Sequence, residues 1–184
     1  MSAVKKLVTC SIASILGAIA VYFPMQLSTS ERGLRHIAKW EACISCTYKD
    51  SIGINTIGLG ATRGLDGKPV KDNVLLSDKE VAELFVRDIK INEKCVNERL
   101  NGSKMPQQVY DMSVSLIHNN GCEGVTVNKR TGKPTMFAQY MRAGNYAQGC
   151  DRMLDFVNAG GKPSQGLINR RKEERQICLS GYQR

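Results

Sequence analysis

At 184 residues the chain is long enough for one ordinary domain with an apolar core. Its 26 Lys and Arg against 17 Asp and Glu leave a formal charge of +9, which favours polyanionic partners without choosing among them. Aromatic residues make up only 6% of the chain and the basic residues are scattered, which argues against a nucleic-acid surface.

Taken in chain order, Lys5 and Lys6 precede a 17-residue run from Leu7 to Phe23 that carries no charge. Positive charge before an apolar run keeps its start in the cytoplasm and sends the remainder outward. The expectation is a signal-anchor or signal peptide over 1–27 and a catalytic-sized domain over 28–184. The inner membrane is then a partner through the N-terminal segment, and the domain works on its periplasmic side and, after release, in the periplasm. The run is short for a membrane span and is diluted by Thr9, Ser11, Ser14 and Gly17. Ala18 and Ala20 equally suit cleavage before Val21, and an ordinary buried helix is the third reading.

After Pro24, Ser28 to Ser30 offer a cap, and Leu34, Ile37, Ala38 and Ala42 recur at helical spacing, with Glu41 near the helix end. From Thr47 to Gly60, Gly53, Gly58 and Gly60 punctuate short alternating segments around Ile52, Ile54 and Ile57, the pattern of a small turning sheet. Asp66, Gly67 and Pro69 mark a loop. Ser77 and Glu80 stand at capping-box spacing before a stripe of Val81, Leu84, Phe85, Ile89 and Val96. Pro106 opens a helix through Val109, Met112, Val114 and Ile117 that ends near Gly121. A surface loop over 121–134, shorter helices over 137–141 and 146–158, and a last basic helix over 166–179 complete an α+β order.

Seven cysteines stand at 10, 43, 46, 95, 122, 150 and 178. Their dispersal does not resemble a zinc module, and His36 and His118 are too few to add one, so no metal is expected. Disulfides in an oxidising compartment are the better account. The six beyond the leader permit fifteen pairings, none of which the letters select. Cys95, Cys122, Cys150 and Cys178 are the candidates for structural bridges.

The segment from Trp40 to Gly60, WEACISCTYKDSIGINTIGLG, resembles the catalytic segment of phage-type lysozymes, the endolysins similar to the lysozyme of T-even phages. The likeness extends over roughly 31–180, through AGNYAQGC at Ala143 to Cys150, FVNAGGKPSQGL at Phe156 to Leu167 and INRRKEERQICL at Ile168 to Leu179. It implies a lysozyme-like fold, with an N-terminal helix and small antiparallel sheet followed by a mainly helical lobe. It also implies a muramidase acting on the β-1,4 bond between N-acetylmuramic acid and N-acetylglucosamine in peptidoglycan, as a monomer and without a cofactor.

The residue types suit that chemistry. A glycosidic bond needs a proton for its leaving oxygen and water or a carboxylate at the anomeric carbon. Carried over, Glu41 is the acid, Asp50 stabilises the cationic transition state, and Thr56 orients water by an inverting route. Asn119 and Asn120, near the motif similar to the family's Phe-Asn-x-Gly, are candidates to border the cleft. Cys10, Cys43 and Cys46 form a second level. A Cys43 to Cys46 bridge beside Glu41, or membrane proximity, would hold the enzyme inactive until Cys10 exchanges into the bridge, the control of signal-anchor-release endolysins. The alternatives are an exported lysozyme that remodels the wall and a catalytically silent peptidoglycan-binding protein.

Overall fold

The computed structural model describes residues 8–50 and 53–181, in which the chain divides into two units. Unit 1 takes residues up to Leu27 and then Leu34–Asp88, and unit 2 takes Ser28–Gly33 and everything from Ile89. Among the described residues, eight α-helices and four short strands, in two two-stranded antiparallel sheets, give the α+β order expected of a lysozyme-like fold.

In unit 1 the hairpin of β1 (Cys43–Lys49) and β2 (Asn55–Leu59) is antiparallel. Its register slips between the pair Ile44 and Gly58 and the pair Tyr48 and Thr56, so that Ser45, Cys46 and Thr47 face Ile57 alone. Such a bulge bends the strand and re-aims the side chains that follow it. Ile57, Ala61, Val70 and Leu84 form the small core beneath the hairpin, with Val74 and Leu76 packed against them. Of the isoleucines expected to alternate here, Ile57 is buried and Ile54 is exposed, while Ile52 lies outside the described residues.

The other edge of β1 is occupied by the chain's own beginning. The Cys10 amide donates to the Cys43 carbonyl at 3.0 Å, and the Ser45 amide to the Val8 carbonyl at 2.7 Å. Cys10 is also bonded to Cys43 as a disulfide. Ser11 then caps α1 (Ile12–Tyr22), which buries Ile15 completely and Leu16 and Ile19 nearly so. The expected membrane anchor and inner-membrane location are corrected by this arrangement. No helix among the described residues is long and apolar enough to cross a membrane. The 11 residues of α1 reach about 16 Å, roughly half of a hydrocarbon core. The strand pairing at Val8–Cys10 ends the helical run early, and a protein core receives the apolar face.

The helix α2 (Glu31–Trp40) starts in unit 2 and finishes in unit 1. Its start is fixed by buried carboxylates of unit 2. The Thr29 amide and hydroxyl donate to Glu93 Oε1 at 2.6 and 2.7 Å, and the Ser30 amide donates to Asp111 Oδ1 at 3.0 Å. Ser30 Oγ accepts from the Gly33 amide at 3.2 Å, as an N-cap should. The long α3 (Asp78–Leu100) opens with the capping box read from the sequence. The Ser77 amide and hydroxyl donate to Glu80 Oε2, and Ser77 Oγ accepts from the Glu80 amide at 3.3 Å.

Unit 2 is built around α4 (Gln107–Asn120), buried from Val109 to Ile117. The stretch expected as a loop after Gly121 instead holds α5 (Cys122–Thr126), tied to α3 by the Cys95–Cys122 disulfide. After α6 (Met136–Arg142), α7 (Tyr146–Asp151) and a 3-10 turn at Arg152–Asp155, the strands β3 (Asn158–Ala159) and β4 (Lys162–Pro163) form a hairpin where helix was expected to run on to 158. Gly160 and Gly161 both have positive φ and make its turn. The final helix α8 (Gln165–Ser180) is joined to α7 by the Cys150–Cys178 disulfide.

Candidate functional site

Glu41 stands just past α2, where its amide still donates to the Ala38 carbonyl at 3.2 Å. It is half-buried beside Trp40, the last residue of that helix. Opposite it runs the end of β2. A Cβ placed on Gly60 would come within 3.4 Å of Glu41 Oε2, and Gly60 has φ +86. Glycine there answers the left-handed backbone, with the carboxylate at contact distance from its Cα side.

Asp50 begins the turn of the hairpin. Its amide donates to the Ile54 carbonyl at 3.0 Å, and its Oδ1 accepts from the Ile54 amide at 2.9 Å. One carboxylate oxygen is thus held by backbone at a defined position. Thr56 is buried, 3% exposed, and its hydroxyl donates to the Ile54 carbonyl at 3.2 Å. With its proton committed, the hydroxyl retains acceptor lone pairs.

Tyr48 links these groups and was not singled out by the sequence. It pairs across the ladder with Thr56. Burial raises its phenol above the ordinary value, and the negative charges of Glu41 and then of Asp50 push it further. Both carboxylates therefore act on the same phenol, which stays neutral in their company. The partner of Thr56 on β1 was legible only once the irregularity at Ser45–Thr47 was known, because its two extra residues shift every pairing that follows by two positions.

Cys43 and Cys46 lie on β1 between Glu41 and Tyr48. Cys43 is bonded to Cys10 with a Cα separation of 5.2 Å, which leaves Cys46 as the free thiol among the described residues. The Val8 amide points at Cys46 Sγ at 3.4 Å. Cys95 with Cys122 and Cys150 with Cys178 form the bridges of unit 2.

Asn119 and Asn120 belong to unit 2, at the end of α4. Asn119 Oδ1 accepts from Arg171 Nη2 at 3.2 Å and from Asn120 Nδ2 at 3.3 Å, while Asn120 Nδ2 also reaches the Leu116 carbonyl. His118 Nδ1 lies 3.0 Å from Asn92 Nδ2, and His36 is buried on α2. Among the described residues no group of three or more His, Cys, Asp or Glu is placed to hold a metal ion.

Comparison with known proteins gives a consistent answer. A family model described as phage lysozyme matches residues 38–174. The SAR-endolysin of Haemophilus phage HP1 is 34% identical over 182 residues, covering 94% of this chain and 95% of that protein. The crystal structure of the active form of the P1 phage endolysin Lyz superposes with a TM-score of 0.85 at 30% identity, covering 95% of this chain and 97% of that one. The secreted inactive form of the same endolysin gives a TM-score of 0.58 at 27% identity, covering 84% of this chain and 97% of that one.

Proposed function

The chain belongs to the phage lysozyme family and is a glycoside hydrolase, and from that premise we propose that it is an endolysin hydrolysing the β-1,4 bond between N-acetylmuramic acid and N-acetylglucosamine. Glu41 gives its proton to the glycosidic oxygen as the bond to the anomeric carbon breaks. Asp50, ionised and oriented by the Ile54 amide, stabilises the positive charge that develops on the sugar. Thr56 accepts a hydrogen bond from the attacking water, whose oxygen bonds to the anomeric carbon while its proton passes to a carboxylate.

The observation that carries this reading is the placement of Glu41 at the end of α2 with its Oε2 against Gly60, beside the hairpin whose turn holds Asp50 and whose second strand holds Thr56. Release of reducing ends from purified peptidoglycan tests it. Glu41→Gln should lower turnover by about 10²- to 10⁴-fold in a protein that still folds, the usual share of a general acid. Near-normal turnover by that variant would contradict the assignment.

The proposal extends to control. In its extended form a strand carries Cys46 about 10 Å from Cys43, beyond the roughly 4.4–6.8 Å between Cα atoms that a disulfide spans. A Cys43–Cys46 bridge therefore requires β1 to leave the ladder, which removes the support of Tyr48, Asp50 and Thr56. The switch is an exchange without net oxidation. The Cys10 thiolate attacks Cys43, forms the Cys10–Cys43 bond and expels Cys46 as thiolate. Supporting this order, the chain with Cys10 bonded to Cys43 matches the active form of the P1 endolysin more closely than the inactive one.

A further inference from the structure

Unit 2 carries a charged feature that hydrolysis does not use. From Gly124 to Cys150 the chain holds Lys129, Arg130, Lys133 and Arg142 and no Asp or Glu. Three of these cations lie on one tip, the turn closed by the bridge between Val127 and Pro134. Residues 128–134 are all exposed. Lys129, Arg130 and Lys133 form no ion pair among the described residues.

The tip is built, not merely loose and basic. The Asn128 amide donates to the Lys133 carbonyl at 2.8 Å, and the Asn128 carbonyl accepts from Thr131 and Gly132. The Asn128 side chain accepts from the amides of Arg130 and Thr131 at 3.0 and 3.3 Å. Gly132 supplies the positive φ that closes the turn, and Thr135 anchors its base to the Val125 carbonyl at 2.6 Å. The backbone that carries the three cations is thus fixed before any partner arrives, which lowers the ordering cost of binding.

Resting on the reading of peptidoglycan as substrate, we propose that the tip at Lys129, Arg130 and Lys133 is a docking site for the carboxylates of the wall's stem peptides. The chemistry is charge complementarity. An insoluble polymer that presents many carboxylates suits several exposed cations on one rigid element, which raise its local concentration and hold the enzyme on it between cleavages. Exposed ion pairs are individually weak, each worth about twofold in binding, so three together give about tenfold.

The test uses the full chain with Glu41→Gln, so that binding is measured without cleavage, and the same protein with Lys129→Gln, Arg130→Gln and Lys133→Gln added. On native peptidoglycan sacculi the triple substitution should weaken binding about tenfold and flatten its dependence on salt. On sacculi whose carboxylates have been amidated the two proteins should bind alike. With Glu41 intact, the triple variant should cleave short soluble glycan strands that lack peptides at the ordinary rate, which also shows that it folds. Equal binding to native sacculi overturns the proposal. So does a loss that persists on amidated sacculi, or one confined to phosphatidylglycerol vesicles, since the partner would then not be a wall carboxylate. Absence of cleavage by the protein with Glu41 intact would instead count against the muramidase reading, leaving the binding comparison to stand separately.

Discussion

Glu174 illustrates how much a single residue holds in unit 2. It is fully buried, with its Oε2 2.9 Å from Arg171 Nε and its Oε1 3.1 Å from Arg170 Nε. Ser115 Oγ donates to the same Oε1 at 2.6 Å. Arg171 is itself wholly buried and donates onward to Asn119, so one carboxylate organises the end of α4 against α8. Replacing it with alanine leaves two guanidiniums buried without that countercharge. Glu174→Ala should cost about 3–5 kcal/mol in chemical denaturation, and a loss below about 1 kcal/mol would contradict the account. The run of charges around Arg170 to Arg175 reads in the sequence as part of a basic helix. Nothing in its spacing says which members turn inward, because the partners Ser115 and Asn119 are more than fifty positions away.

At the scale of elements, α3 shows local chemistry that the sequence states openly. The Ser77 and Glu80 spacing names the cap, and the structure closes both of its hydrogen bonds. Ser77→Ala should cost about 1 kcal/mol. Hydrogen bonds from the Ser77 backbone first and its side chain second hold the Glu80 carboxyl below its ordinary 4.5. A lowered value in the folded state means stability that is present above the unfolded value and is lost as pH falls through the lowered one. The stability gap between the parent protein and Glu80→Gln should therefore narrow on acidification, seen in thermal melts at pH 7 and near pH 3. A gap that widens instead would contradict the cap. The leader was less legible. A charge-free apolar run has the same letters whether lipid or protein covers it, and here Ile15, Leu16 and Ile19 are buried within the protein. Ser11 as cap of α1 and the strand pairing of Thr9 with Ile44 are tertiary facts.

For the molecule as a whole, the disulfides are what the letters leave open. Six cysteines beyond the leader allow many pairings, and the structure chooses one in which Cys10, from the leader itself, takes Cys43 and leaves Cys46 reduced. The α+β order and the positions of Glu41, Asp50 and Thr56 were readable because a helix end and a glycine-punctuated hairpin announce themselves locally. Tyr48 was hidden, since its place depends on a register slip that no spacing reveals. The most direct test of the central claim, that the partner of Cys43 decides whether peptidoglycan is cut, is reducing-end release by two trapped full-length proteins. Cys46→Ser, which permits only the Cys10–Cys43 bond, should be active. Cys10→Ser, with Cys43 bonded to Cys46 in a non-reduced peptide map, should be silent. Full activity from Cys10→Ser with that bridge in place would contradict the account.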